Sequence, residues 1–529
     1  MQRSPFSPVA RRTSTRDLLC ALTLTLTFTL TACQLPAPGV RTTSTALSAS
    51  EAQTTPLARA IEGKLAAHPG LSGIDPLAKP LEAFAARVDL VRTAQRTLDV
   101  QYYIWRNDLT GTLLLEALRE AADRGVRVRL LLDDNGIPSS LDATLAALDA
   151  HPNIQVRLFN PFAVRRAKFI GFLTDFSRLN RRMHNKSLTA DGIATILGGR
   201  NIGDEYFGAT DGVVFADLDV LAIGPAASDV AHDFDRYWSS ASAWPAHEIL
   251  PAPQPSELEA LDRAAQAVQT NPAGAAFIAA LQEKTDVRRL LDGTLTLEWA
   301  STRLVSDDPA KAKGKAAPES LVLNQLRDIL GEPKRELDLV SPYFVPCEVG
   351  TQYFTQLAAN SVTVRVLTNS LEATDVLPVH SGYARRRKAL LKGGVELFEL
   401  RRAAGASASK EQAPGVFGSS GSSLHAKTFA VDGQRVFVGS LNFDPRSVNL
   451  NTELGLVIES PVLAGRIEAA FWTQVPQLAY QAKLDSNGSL YWVRQTADGT
   501  TRYDTEPNSR WSTRLAVWFF SILPIEWLL

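Results

Sequence analysis

Cysteine is nearly absent: there are three in 529 residues, at positions 20, 33 and 347. A disulfide framework is therefore excluded as the source of stability, and no cysteine cluster has the spacing of a zinc site. Charge of one sign is also missing. The 55 Lys and Arg residues face 56 Asp and Glu residues, for a formal net charge of -1. A chain so balanced has no overall field for a polyanion, so nucleic acid is not an expected partner. Any anion site has to be assembled from local basic groups. Two conspicuous apolar stretches, Leu18–Leu30 and Leu515–Leu529, hold 13 and 15 residues. Each is too short to span a bilayer as a helix.

The first of these stretches has the make-up of a targeting segment. Arg11, Arg12 and Arg16 precede it, and Thr31 and Ala32 put small residues before Cys33. The pattern resembles a bacterial lipoprotein signal. Residues 1–32 are then a signal peptide, Cys33 carries lipid, and the Pro-, Ser- and Thr-rich stretch 33–55 is a flexible tether. The expected location is the bacterial cell envelope, membrane-anchored and facing the periplasm. An ordinary secretory signal with an incidental cysteine is the alternative. With Cys20 removed and Cys33 modified, Cys347 stands alone.

A length of 529 residues exceeds what one ordinary core fills, and the chain repeats itself. Leu98-Asp99-Val100-Gln101 matches Leu337-Asp338-Leu339-Val340. In the first copy Leu114, Leu115, Leu118 and Ala122 follow at helical spacing and stop at Gly125; Phe354, Leu357 and Ala358 take those places in the second. A β-branched strand pattern comes next, Val126–Leu132 and Val362–Leu367. The fold class expected is α/β, with an N-terminal half over 56–290, a C-terminal half over 291–480 and a tail over 481–529.

The same offset governs the chemistry-bearing residues. His184-x-Lys186-x4-Asp191 recurs as His425-x-Lys427-x4-Asp432, 241 residues later. In both copies an asparagine, Asn201 or Asn442, stands 17 residues after the histidine. His and Lys at i and i+2 on a strand share a face. Asp191-Gly192 and Asp432-Gly433 predict tight hairpin turns. If the halves pack about a pseudo-twofold axis, two His, two Lys and two Asn converge. Lysine ammonium and asparagine amide groups suit the oxygens of a phosphodiester. One imidazole can attack phosphorus while the other protonates the leaving oxygen. Each needs a carboxylate to set its tautomer, for which Asp217 and Glu453 are the candidates. The catalytic candidates are His184, Lys186, Asp191, His425, Lys427 and Asp432. Asn201, Ser440, Asn442, Asp217 and Glu453 are the phosphate-binding or supporting ones. Position 199 is glycine where the second half has Ser440, so only the second half has a hydroxyl there to offer a phosphate.

The paired H-x-K-x4-D motifs, with Gly198-Gly199-Arg200-Asn201 and Gly439-Ser440-Leu441-Asn442, resemble the phospholipase D superfamily. Asn369-Ser370-Leu371, Thr374-Asp375-Val376 and Ser440-Leu441-Asn442-Phe443-Asp444-Pro445-Arg446-Ser447 resemble its bacterial cardiolipin synthase C branch. The resemblance covers roughly residues 60–529. It implies two fused α/β sandwich halves with one shared active site. It also implies metal-independent, cofactor-free phosphatidyl transfer through a covalent phosphohistidine. Cardiolipin is the implied product, phosphatidylglycerol the acceptor and phosphatidylethanolamine the donor. By the same resemblance His184 is the nucleophile, His425 the general acid/base, and Asp191 and Asp432 hold the site. A hydrolase of the same fold and a non-catalytic lipid-binding protein remain open, as does the need for a helper protein.

Three further stretches bear on membrane contact and mobility. Residues 162–182 interleave phenylalanine with arginine and lysine, which suits either an anionic lipid interface or a core helix with a basic outer face. Arg385–Lys388 reads as a solvated helix face, and the apolar C-terminus as a segment that docks on the body or dips into the membrane, with docking preferred. Residues 307–318 and 403–423 read as linkers, the second placed to act as a flap over the following motif.

Overall fold

The computed structural model describes residues 43–210, 213–270, 272–281, 285–402, 423–496 and 499–529, together with Leu35. Cys33, the apolar run 18–30 and almost all of the loop 403–423 lie outside the described residues.

One continuous sheet of 18 strands runs through the described residues. Its order is palindromic. From the centre outward, the first half runs Ser72–Leu77, Asp219–Ile223, Ala194–Gly198, Ser187–Ala190, Thr97–Ile104, Arg127–Gly136 and Ile154–Phe159. The second half runs Glu298–Ser306, Leu454–Glu459, Arg435–Gly439, Thr428–Val431, Glu336–Val340, Thr363–Asn369 and Glu396–Leu400. The two series meet where Ser72 pairs with Ala300 and Ile74 with Glu298. The pseudo-twofold axis expected from the repeat thus passes between two hydrogen-bonded strands.

Strand alternation explains the layers. In the first half Ile196, Leu221 and Ile223 face the core beneath the helices, while Leu197, Val220 and Ala222 face the other half. The second half mirrors this: Phe437 and Val457 lie under its helices, and Val436, Val438, Leu456 and Ile458 meet the first half. Each half-sheet is apolar on both sides because both sides are covered. Buried ion pairs repeat as well. Arg129 reaches Asp99 at 2.6 Å, and Arg365 reaches Asp338 at 2.5 Å.

Several expectations need correction. Residues 307–318 are not a passive linker. Asp307 and Lys311 are buried and paired at 2.8 Å, and the Lys311 ammonium also donates to the Ser447 carbonyl. Nor is Arg385–Lys388 wholly solvated, because Arg387 is buried between Glu399 and Glu506. The segment 481–529 is not simply a tail. It completes the strand Ala479–Leu484 and adds Leu490–Thr496 and Gly499–Tyr503 to the edge of the sheet. Its last helix, Trp511–Ile522, docks on the helix Leu377–Lys392. In 162–182 the basic residues partly turn inward: Arg182 is buried on Asp133, and Arg165 holds Asp134 and Asp142.

Candidate active site

Each H-x-K motif ends in a short strand, but the strand begins one residue after the lysine, at Ser187 and at Thr428. The His–Lys segments are lead-ins whose backbone bonds cross to the other half. The His184 N–H donates to the Thr452 carbonyl at 2.8 Å, and the His425 N–H to the Ala216 carbonyl at 2.8 Å. This is where the two halves grip each other.

The turns close as expected. Asp191 and Gly192 have φ of +53° and +66°, and Asp432 and Gly433 have +56° and +63°. The two aspartates are not in contact with the histidines, however. The Asp191 carboxylate accepts from the backbone N–H groups of Gln95, Arg96 and Thr97. Asp432 accepts from Lys334, Arg335 and Glu336. Each clamps its hairpin to the start of the neighbouring strand, so that although both stood among the catalytic candidates, their contacts are those of residues that hold the site.

The carboxylates pair across the halves. His184 Nδ1 lies 2.8 Å from Glu453 Oε2, and His425 Nδ1 lies 2.6 Å from Asp217 Oδ2. With each carboxylate accepting from Nδ1–H, the Nε2 of both rings carries the lone pair; that of His425 faces the Lys427 ammonium at 3.2 Å. Both carboxylates are fully buried. Burial pushes each upward, but the facing histidine and the site's lysines prevail and hold both below the usual range. Burial also disfavours the imidazolium, and with the lysine charges it outweighs the carboxylate's pull. Both histidines are lowered to about 4. Burial depresses both lysines too, Lys186 well below its ordinary value and Lys427 to about 8. Each lysine donates to the carbonyl of the histidine two residues before it, and the Lys427 ammonium also lies 2.9 Å from His425 Nδ1.

The unequal pair Gly199 and Ser440 is explained by the unequal carboxylates. A Cβ at position 199 would lie 2.1 Å from Asp217 Oδ1, so the short aspartate packs onto bare backbone. In the other half the longer Glu453 reaches past Ser440, whose hydroxyl donates to Glu453 Oε2 at 2.5 Å and accepts from the Leu454 N–H. Of the two roles open to Ser440, phosphate-binding or supporting, its contacts are those of support: it holds Glu453. Asn201 is braced, accepting from the Ile104 N–H and donating to the Tyr206 hydroxyl. Asn442 Oδ1 and Glu453 Oε1 are buried without a hydrogen-bond partner among the described residues.

Several contributors carry no motif. Tyr103 stands edge-on to His184 with ring centroids 5.0 Å apart, and Tyr206 and Phe215 flank His425 at 5.1 and 5.2 Å. Asp307 accepts from the Glu453 N–H at 2.8 Å. For Tyr103 the only signal was its position near the end of a recognised strand; for Asp307 there was none. Chemically, the arrangement offers two neutral imidazoles, each backed by a buried carboxylate, with two ammonium groups between them. That set suits nucleophilic attack on a monoanionic phosphodiester with proton delivery to the leaving oxygen.

Comparison with known proteins gives the same picture. The family model described as "Cardiolipin synthase, PLD-like domain" matches twice, at residues 88–238 and 326–475. Cardiolipin synthase C of Escherichia coli K12 is 49% identical over 473 residues, covering 89% of this chain and 99% of that protein. Cardiolipin synthase A of Pseudomonas syringae pv. syringae B728a is 26% identical over 389 residues, 73% of this chain and 65% of that protein. Among solved structures, the phosphatidylserine synthase of Haemophilus influenzae Rd KW20 superposes with a TM-score of 0.55 at 15% identity. The match covers 89% of this chain and all of that one, and so supports the fold.

Proposed function

The chain belongs to the cardiolipin synthase family of phospholipase D-like proteins, and from that premise we propose how it joins two phospholipids into cardiolipin. The observation that carries the reading is the crossed pairing of His184 with Glu453 and His425 with Asp217 around Lys186 and Lys427. The phosphodiester of a donor phospholipid sits between the two ammonium groups. His184 Nε2 attacks phosphorus, an N–P bond forms and the P–O bond to the head-group alcohol breaks. His425 gives its proton to that oxygen. Burial first and the Lys427 charge second keep His425 neutral in the free site; the charge of the bound phosphodiester offsets the lysine and favours the protonated ring, which makes it the proton donor once substrate is in place.

In the second step His425 takes the proton of a phosphatidylglycerol hydroxyl. The hydroxyl oxygen attacks phosphorus, the N–P bond breaks and cardiolipin leaves. With phosphatidylethanolamine as donor the other product is ethanolamine; with phosphatidylglycerol it is glycerol. Asp217 and Glu453 stabilise the imidazolium formed in turn on each ring. Phosphatidylglycerol as acceptor, phosphatidylethanolamine as donor and an envelope position anchored through Cys33 form part of this proposal.

The test is lipid analysis after incubating the protein with phosphatidylglycerol vesicles, with and without phosphatidylethanolamine, beside His184→Ala. Cardiolipin from the unsubstituted chain and none from the variant is the expected result. Phosphatidic acid without cardiolipin would identify a hydrolase instead. Incubation with donor lipid radiolabelled at phosphorus, quenching in denaturant at mildly alkaline pH, where the N–P bond survives, and mapping of the labelled peptide distinguishes His184 from His425 as the phosphorylated residue.

A further inference from the structure

A helix on the surface of a soluble body turns its polar stripe outward and its apolar stripe inward. The helix Trp511–Ile522 does the reverse. Trp511, Leu515, Trp518, Phe519 and Ile522 recur at helical spacing, and all are exposed, Trp511 by 71% and Trp518 by 58%. Only Val517 of this helix is buried, and Trp527 beyond it is exposed as well.

Two other helices also expose apolar residues. Phe169 and Leu173 stand one turn apart on Lys168–Thr174, with Leu173 exposed by 81%, and Phe176 follows. Val349 and Tyr353 stand one turn apart and exposed on Cys347–Ala359. Ion pairs and hydrogen bonds draw the three together. Arg386 pairs with Glu348 of the second and with Glu526 beside the C-terminal helix, the latter at 2.9 Å. The Arg446 N–H donates to the Leu529 carbonyl at 2.9 Å, and its guanidinium donates to Asn180, just past the helix that carries Phe176, at 2.8 Å. Asn180 is four residues before His184, so this apolar cluster lies beside the lead-in to the candidate nucleophile. Among the described residues no helix is long and apolar enough to cross a membrane. Exposed cations accompany the cluster: Arg385 donates to the Ser521 carbonyl, and Lys388, Arg510 and Arg166 are exposed on the same or adjoining elements.

We propose that the face formed by Trp511, Leu515, Trp518, Phe519 and Ile522, with Phe169, Leu173 and Val349, is the surface by which the protein lies on an anionic phospholipid bilayer. This rests on the phospholipid substrate proposed above. The occupant follows from chemistry. Tryptophan carries an apolar body with one polar N–H and settles at the head-group level. The flanking arginines and lysine match anionic head groups. Contact on this face brings the bilayer to the residues that lead into His184, so a donor lipid needs to move only its head group into the site. The arrangement also makes the face independent of any lipid on Cys33, since it is formed by folded helices.

The experiment uses the protein without residues 1–33, so that neither the apolar run 18–30 nor an acyl anchor can hold it on vesicles. Flotation with phosphatidylglycerol vesicles is compared with Trp511→Ser/Trp518→Ser/Phe519→Ser in the same background, at low and high salt. The binding constant of the triple variant is expected to fall about tenfold or more, because three buried aromatic contacts are removed. Salt and neutral phosphatidylcholine vesicles should weaken the unsubstituted chain. On substrate dispersed in detergent micelles the variant should keep its turnover, while on vesicles it should lose most of it. Equal flotation of the variant and its parent would overturn the proposal. So would a solution dimer of the parent that the triple substitution dissociates, because the face would then be a protein interface. Flotation is read without turnover, so a chain that binds vesicles through this face but makes no cardiolipin refutes the enzymatic reading and leaves the surface standing.

Discussion

Replacing Glu453 by glutamine tests the crossed pairing most directly. Glutamine keeps the length of the side chain and an oxygen for the His184 Nδ1–H, now 2.8 Å from Glu453 Oε2. What it removes is the negative charge facing the ring when His184 becomes cationic on attack. A hydrogen bond to an ionised partner is worth about 1.5–3 kcal/mol, against about 1 kcal/mol for a neutral one. The Coulomb attraction of a unit pair at about 4 Å and an effective dielectric near 20 is about 4 kcal/mol. At about 1.36 kcal/mol per decade these bound the fall in kcat between roughly several-fold and a thousandfold. KM should move little, because Glu453 faces the ring and not the lipid. Lower pH should not rescue the variant, since Glu453 is one of the groups that raise the His184 pKa and its loss leaves the ring still harder to protonate. The assay is the rate of cardiolipin formation, with rapid-quench capture of the phosphorylated protein and a melting temperature to confirm folding. A folded Glu453→Gln protein working within threefold of the parent would refute the argument that the carboxylate of one half activates the histidine of the other.

Gly199→Ala places a Cβ 2.1 Å from Asp217 Oδ1 and pushes that carboxylate off His425; kcat should fall about a hundredfold, whereas Ser440→Ala, which removes one hydrogen bond to Glu453, should cost about three- to tenfold. The kcat/KM profile should fall below about pH 4 as His184 protonates, and should decline on the alkaline side as His425 is found less often protonated and as the lysines, Lys427 at about 8 and Lys186 well below its ordinary value, lose their charge. Asp191→Ala strips the acceptor from the three backbone N–H groups it clamps and should lower unfolding free energy by about 2–4 kcal/mol in urea. Turnover of the folded fraction at low temperature should stay within threefold, and a complete loss there would return Asp191 to the catalytic set.

The repeat, the two halves and the identity of the reacting groups were legible in the chain because they are local. A histidine and lysine two apart, an Asp-Gly turn and a strand followed by a helix are each fixed within about ten residues. Copying the pattern 241 residues later announces a second half. The pairing of strands Thr97–Ile104 with Ser187–Ala190 and of Glu336–Val340 with Thr428–Val431 follows the repeat in register: Leu98 meets Ala190 as Leu337 meets Val431. Where residue type misled, the reason was distance. Ser440 reads as a free hydroxyl until Glu453 is seen to accept its hydrogen bond, and Arg387 reads as solvated until Glu399 and Glu506 close over it. Residues 307–318 read as a linker until Asp307 is found under the Glu453 amide.

The sequence by itself determined which groups do chemistry and that there are two sets of them, since side-chain type and short-range spacing are properties of the chain. Only the tertiary structure decided which carboxylate serves which histidine. Glu453 and His184 are 269 residues apart, and Asp217 and His425 are 208 apart. Those contacts exist because the strands Ser72–Leu77 and Glu298–Ser306 join the sheets and bury their inner apolar faces against each other, which presses the lead-in of each motif onto the opposite half.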